Sequence, residues 1–471
     1  MLSYLDLTTA LLVGTVLVLY AVVVMYSKPR HPLYPPGPKG IWYLGVTTVP
    51  MRKAWLTYMN WGKKYGDLIH FSRFGKHYLI INSLEAARDI LDKQSKQTGD
   101  RAHTQLDKIS GMNDFFGLMP YSDEWRKIRK IFHQNLGPET STQTWSIQAQ
   151  EVHKFIAGLP SSKDTLRNQI SCLSQKIMFL SVYGLEIASS EEDMPARNRK
   201  VIELLDFSMI AGWSAFKKIP FIHLLPPWLP GGQLVADHLA FHEVFQEGAD
   251  RPWNALMEDL RRPDSHNSSL IANLLFNIDP DDDQGMQRLK KFGVAAIVAA
   301  ADTTVSVIST FFIAMSCYPD AQLRAQQELD DVLGRGQMPT LEDRPSLPYI
   351  EAILRELMRW HPAGPMGIPH DTSEDIIYNG YFIPKGTSVH ANIWAMTHDE
   401  STFEKPDDFI PERHLREDSK FDDINSILAY GFGRSFKIST SAKRENVEEY
   451  FSHGTFCYPK DFAWSVSPRL N

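Results

Sequence analysis

The chain has 471 residues, 43% of them hydrophobic, enough for one large domain or two smaller ones. Lysine and arginine total 49 against 56 aspartates and glutamates, a net charge of −7, so no basic excess exists to neutralise phosphates and a nucleic-acid partner is excluded. The three cysteines, Cys172, Cys317 and Cys457, are too widely separated for a zinc site or a disulfide framework, which points to a reducing compartment facing the cytosol.

Leu7–Tyr26 is a run of 20 residues without a charge. At about 1.5 Å per residue it spans roughly 30 Å, the thickness of a hydrocarbon core. It is longer than the apolar part of a signal peptide, and no small-x-small cleavage site follows it. Asp6 precedes it while Lys28 and Arg30 follow, so it reads as a single membrane anchor with the rest of the chain in the cytoplasm. The stretch 28–40, "KPRHPLYPPGPKG", is stiff and poor in backbone donors; it serves as a linker or as a spacer that sets the domain's height and angle.

"HYLIINS" at 77–83 alternates and predicts a strand, and 83–95 predicts a helix capped by Ser83. Residues 102–118 lack periodicity and read as a loop. A helix is predicted over 122–136, with Ser122 as cap and acids in its first turn. Helical patterns dominate 141–208 and 285–334. Strand signals return at 376–384, where Asn379-Gly380 marks a two-residue hairpin. The sum is a mainly helical chain with a minor, late β component.

Three constellations carry chemistry. In "AIVAAADTTVSVISTFF", residues 296–312, the pattern is apolar nearly all round, so the helix is buried. Ala299, Ala300 and Ala301 remove bulk over one turn, and Asp302, Thr303 and Thr304 follow. Two readings fit. The turn is a close-packed helix crossing with threonines bonding back to carbonyls, or it admits a flat ligand that Thr303 hydrogen-bonds while Asp302 feeds protons. Glu356 and Arg359 share one helical face, a common and usually solvated pair, but Arg413 offers a second guanidinium for a buried staple. Trp125 and Arg129 also share a face, as a donor pair for a carboxylate or phosphate, or as a surface arginine beside a core tryptophan. Arg126, Lys127 and Lys130 on the other faces are a solvated run or a dock for an acidic partner.

In this order the elements resemble the cytochrome P-450 haem-thiolate monooxygenases, from the anchor through about Arg434. The motifs are "PPGPKG" after the anchor, W-x-x-x-R at Trp125/Arg129, "AAADTT", E-x-x-R at Glu356/Arg359, P-E-R at Pro411–Arg413, and "YGFGR" where the haem loop begins. "WGKKYGDLI", "DRPSLPYIEAILRELMRWHP" and "GYFIPKGT" look most like fungal microsomal members of the group around O-methylsterigmatocystin oxidoreductase. The resemblance implies that fold, with haem b as cofactor and NADPH electrons arriving through a separate NADPH-cytochrome P-450 reductase docked near Arg126 and Lys130. It implies that Trp125, Arg129 and His370 bind haem propionates, and that Ala299 and Ala300 flank the oxygen pocket. Asp302 and Thr303 would handle protons, and Glu356, Arg359 and Arg413 would form a structural triad.

The haem loop departs from the family. Gly431, Gly433 and Arg434 keep its start, Ser435 replaces an arginine, and Lys437 stands where the ligand cysteine belongs. Lysine cannot supply the anionic sulfur that drives O–O cleavage. After Ser435 the tail is polar and aperiodic, and its one cysteine, Cys457, lies in "CYPKDFA". Either an insertion of about twenty residues displaced the ligand to Cys457, or the tail is aberrant and the product is a haem-free membrane protein. The expected layout is an anchor at 1–27, a proline-rich hinge at 28–50, a cytochrome P-450 domain at 51–434 and a divergent tail at 435–471, on the endoplasmic reticulum. The apolar loop 215–232, with Phe221, Leu224, Leu225 and Trp228, is placed to dip into the bilayer and admit lipophilic substrates. Phe115 and Phe116 are placed to cap the pocket.

Overall fold

The computed structural model describes residues 33–415, apart from 42–43, 103, 137–143, 188–192, 209–216, 218, 220 and 230, together with residue 451. The anchor therefore lies outside the described residues.

Helices dominate, and their ends are set by local chemistry. Ala54–Tyr65 (α1) precedes the first strands, Leu68–Arg73 (β1) and Lys76–Ile81 (β2). Ser83 caps a short helix at Leu84–Ala87, which runs on as a wide turn over Arg88–Lys93. Residues 102–118 are not all loop. Gln105–Ile109 (α2) forms because the Thr104 hydroxyl accepts from the Asp107 N–H at 3.1 Å, a single capping contact too short to leave a periodic pattern. Asp123–Asn135 (α3) starts where the Ser122 hydroxyl accepts from the Trp125 N–H at 3.1 Å, with Asp123 and Glu124 in its first turn.

Trp145–Gly158 (α4), Leu166–Tyr183 (α5) and Asp193–Ser208 (α6) fill the next helical stretch. Gly184 ends α5 at φ 69°, a left-handed stop that glycine takes without cost. Gly232–Asp259 (α7) and Leu270–Leu275 (α8) lead to Asp283–Cys317 (α9), 35 residues long and begun by the Asp282 carboxylate accepting from Gly285 N–H at 2.9 Å. Pro319 and Pro348 open Pro319–Leu333 (α10) and Pro348–Trp360 (α11), where a missing N–H costs nothing.

The β component is not only late. His370–Asp371 (β3), Ile376–Tyr378 (β4), Tyr381–Ile383 (β5) and Ser388–Ala391 (β6) come late, but the four-stranded sheet runs β1-β2-β6-β3. β2 pairs with β6 in parallel, Tyr78 opposite Ser388, so the strands before and after the helical body close on each other. β4 and β5 form the hairpin expected at Asn379-Gly380, whose φ values of 49° and 78° suit a mirror-image turn.

The proline-rich segment is strapped across both sheets. His70 N–H donates to the Pro36 carbonyl at 2.9 Å, and Phe382 N–H to the Leu33 carbonyl at 3.0 Å. The Tyr34 ring stacks on His70 with centroids 4.6 Å apart. Ile393–Thr397 (α12) follows the sheet. One described helix, α9, is long and apolar enough to cross a membrane, with a mean hydropathy of 1.8. It is the central core helix, contributing Phe292, Val294, Val298 and Ala301 to the packed clusters on its two sides.

Candidate active site

The middle of α9 is where the buried helix opens. Val298 and Ala301 are buried, yet Ala299 between them is exposed and Ala300, Thr303 and Thr304 are half-buried. Side-chain hydroxyls take both alanine carbonyls of this turn. Thr303 Oγ1 donates to the Ala299 carbonyl at 2.8 Å, and Ser174 Oγ of α5 to the Ala300 carbonyl at 2.9 Å. Asp302 is buried on the same turn. The helix therefore presents a small-residue face, one hydroxyl and a nearby carboxylate.

α3 lies against α9 through the Phe132–Phe292 ring contact at 4.6 Å and the Arg288–Glu124 ion pair at 3.0 Å. This fixes Trp125 and Arg129. The Arg129 guanidinium sits 5.0 Å from the Trp125 ring centre, and Trp125 stacks on Phe116 at 5.7 Å. Trp125 is half-buried and Arg129 exposed. Arg126, Lys127 and Lys130 are exposed on the same helix, with Arg126 paired to Asp123.

β3 carries His370. Its Nδ1 is buried and has no hydrogen-bond partner among the described residues. Burial, and then the Arg101 charge, hold it well below the usual histidine range, so it is neutral at pH 7. Arg101 arrives from the end of the first helical stretch and donates through Nη1 to the Ile368 and Pro369 carbonyls. Sequence reading passed over Arg101, because nothing local ties it to residues 267 positions away.

Glu356, Arg359 and Arg413 converge in full burial. Arg359 grips Glu356 with Nε and Nη2, both at 2.8 Å, and Arg413 Nε reaches Glu356 Oε1 at 3.1 Å. Two further donors were not read from the sequence: His414 Nε2 at 2.8 Å and the Ile410 N–H at 2.9 Å. Arg359 also donates to the carbonyls of Thr397, Pro406 and Asp408. Burial would raise the Glu356 pKa, but the Arg359 charge and hydrogen bonds outweigh it and hold the carboxyl at about 2. The cluster fastens α11 to the segment that leads toward the glycine-rich loop. Gly431, Gly433, Arg434, Lys437 and Cys457 lie outside the described residues.

Phe115 and Phe116 do not cap the hollow. Phe115 packs edge-on against Phe245 at 6.1 Å, and Phe116 is stacked between Trp125 and Phe132. Met112, Asn113 and Leu118 of the same stretch line it instead. In the 215–232 loop, Phe221, Leu224 and Trp228 are 76%, 68% and 79% exposed, while Ile222 anchors the loop in a small cluster with Leu106 and Val235.

A family model described as Cytochrome P450 matches residues 35–436. The chain belongs to this family. Among its cytochrome P450 relatives, cytochrome P450 monooxygenase 208 of Postia placenta is 31% identical, covering 99% of this chain and 96% of the relative. Cytochrome P450 monooxygenase COX1 of Coprinopsis cinerea is 32% identical over 91% of this chain and 86% of its own length. Cytochrome P450 monooxygenase ple1 of Rhodocybe pseudopiperita is 33% identical over 87% of this chain and 79% of its own length. By family the chain is therefore a cytochrome P450 enzyme with fungal monooxygenase relatives. The family match ends one residue before Lys437.

The described residues fit the haem this family implies. An exposed alanine on an otherwise buried helix leaves room for a flat group, and the orphaned His370 Nδ1 and the Trp125–Arg129 pair offer polar partners for its carboxylates.

Proposed function

We propose that this chain is a haem-dependent monooxygenase that inserts one oxygen atom from dioxygen into a lipophilic small molecule, in fungal secondary or xenobiotic metabolism. The observation that carries this reading is the uncovered turn at Ala299 with Thr303 and Asp302 beside it. Haem, when bound through sulfur, supplies the site at which dioxygen is reduced.

The protein's own residues do the rest. Trp125, Arg129 and His370 hold the porphyrin carboxylates, Gly431, Gly433 and Arg434 supply the loop beneath it, and Ala299 and Ala300 keep the space above it open. Thr303 holds a proton at Oγ1, given at present to the Ala299 carbonyl, and rotation about χ1 offers it to the open face. Asp302 resupplies that proton from the buried side of the turn. Glu356, Arg359 and Arg413 hold the approach to the loop, and Cys457 supplies the sulfur.

Electrons come from NADPH through a separate reductase that docks on Arg126, Lys127 and Lys130, a role their exposure permits. A single anchor at 1–27 places the domain on the cytoplasmic face of the endoplasmic reticulum, with the hinge at 28–50 setting its angle. The straps at Pro36 and Leu33 support that role. The exposed Phe221, Leu224 and Trp228 dip into the bilayer, from which substrate enters.

A second reading has one observation in its favour, Lys437 at the ligand position with the family match ending beside it. In it the chain is a haem-free, membrane-anchored member of the family. Haem content of the full-length chain, measured by pyridine haemochrome absorbance after expression with excess haem precursor, separates the two. Stoichiometric haem is expected; a colourless protein selects the second reading.

A further inference from the structure

A buried charge cluster lies in the roof of the hollow, away from the residues assigned above. Asp107 of α2 accepts from Lys217 Nζ at 2.6 Å, and its Oδ1 also faces His238 Nε2 of α7 at 3.1 Å. The Lys217 and Asp107 side chains are each only 5% exposed. Both line the same hollow as Arg101, Met112, Asn113 and Leu118.

The bonding of this cluster is lopsided. Asp107 is well supplied, since Thr104 Oγ1 donates to its second oxygen. Lys217 is not. An ammonium carries three N–H donors, and among the described residues Asp107 is its one acceptor. A buried ammonium with donors left over is costly unless an acceptor arrives from elsewhere. The other walls of the hollow are mixed. Met112 and Leu118 belong to the cluster that packs on Val298 and Ala301 of α9, so an apolar body is accommodated toward the alanine turn. Arg101 and Asn113 add polarity on the Lys217 side.

We propose that the substrate is a lipophilic molecule bearing one oxygen acceptor, a ketone or hydroxyl, that Lys217 holds against the roof, making Lys217 a specificity-determining residue. This rests on the reading of the hollow as a substrate pocket. The acceptor takes a free N–H of Lys217, Asp107 keeps the ammonium charged and aimed, and the apolar remainder of the molecule extends toward α9. A hydrocarbon of equal size leaves those donors buried and unmet.

The test is equilibrium dialysis of the full-length chain in lipid nanodiscs against two isosteric pairs, 2-acetylnaphthalene with 2-ethylnaphthalene and 2-tetralone with tetralin. Empty nanodiscs correct for partition. The ketone of at least one pair is expected to bind about tenfold more tightly than its hydrocarbon. Lys217→Met/Asp107→Asn removes both charges together, so neither is left buried alone. In that variant the preference is expected to vanish while hydrocarbon binding stays within about twofold. Equal binding of both members of each pair, binding of neither, or a preference that survives the double substitution overturns the proposal. Dialysis needs neither haem nor turnover, so a colourless chain contradicts the monooxygenase reading without deciding this one.

Discussion

Glu356 has no solvent to replace its partners. Its carboxylate is fully buried and receives donors from Arg359, Arg413, His414 and Ile410. Glu356→Gln leaves two buried guanidiniums without their counter-charge, and the expected loss is roughly 3–5 kcal/mol by urea denaturation. The folded-state pKa is depressed from 4.5 to about 2, so the native chain's advantage is full above pH 4.5 and fades as pH falls toward 2. Denaturation midpoints of the two chains are therefore expected to converge over that window. Convergence above pH 4.5 instead would contradict the assignment. At the alanine turn, Thr303→Ala removes the one hydroxyl bonded to the Ala299 carbonyl. In haem-loaded enzyme it is expected to lower product formed per NADPH consumed, with a cost of roughly 10²-fold in turnover. Unchanged coupling would remove Thr303 from the proton path.

α9 is the element on which everything else is mounted, and its tightest approach is glycine. A Cβ at Gly293 would stand 2.3 Å from Tyr183 Oη and 2.6 Å from Ile271 Cδ1, at the point where α5 and α8 meet the helix. In a free helix Gly→Ala stabilises by about 1 kcal/mol. Here the collision reverses the sign, and Gly293→Ala is expected to cost about 1–3 kcal/mol in thermal or urea melts. Gly380→Ala is the contrasting case. Its Cβ would meet nothing within 4 Å, so only the backbone φ of 78° opposes it, at about 1 kcal/mol. These elements were legible where a pattern is local. The Ser122 cap, the apolar run of α9 and the Asn379-Gly380 turn each carry their instruction within a few residues. β1 was missed as a partner of β2, and α2 was missed because one cap on five residues leaves no periodicity. The pairing of β2 with β6, Lys217 with Asp107, and His414 with Glu356 joins residues 58 to 310 positions apart, and no spacing rule reaches that far. Glu356 and Arg359 could be paired from their helical spacing; which arginine completes the cluster could only be suggested.

At the scale of the whole molecule, the strands before and after the helical body close one sheet, the proline-rich strap crosses it, and α9 runs through the centre. That frame sets Trp125, Arg129, His370 and the alanine turn around one hollow from four separated parts of the chain. The same frame predicts a sulfur ligand, and the sequence puts Lys437 where that sulfur belongs. If Cys457 replaces it, the loop must carry the intervening residues without displacing the segment that Glu356 fastens, and Cys457→Ser is expected to abolish the sulfur-ligated spectrum while leaving the melting temperature within about 2 °C, as for a substitution away from the folded core. The most direct measurement is the reduced carbon-monoxide difference spectrum of the purified full-length chain expressed with ample haem. The account expects a Soret band of the thiolate-ligated type that disappears in Cys457→Ser; a chain with no haem absorbance, or a band unchanged by that substitution, would contradict it.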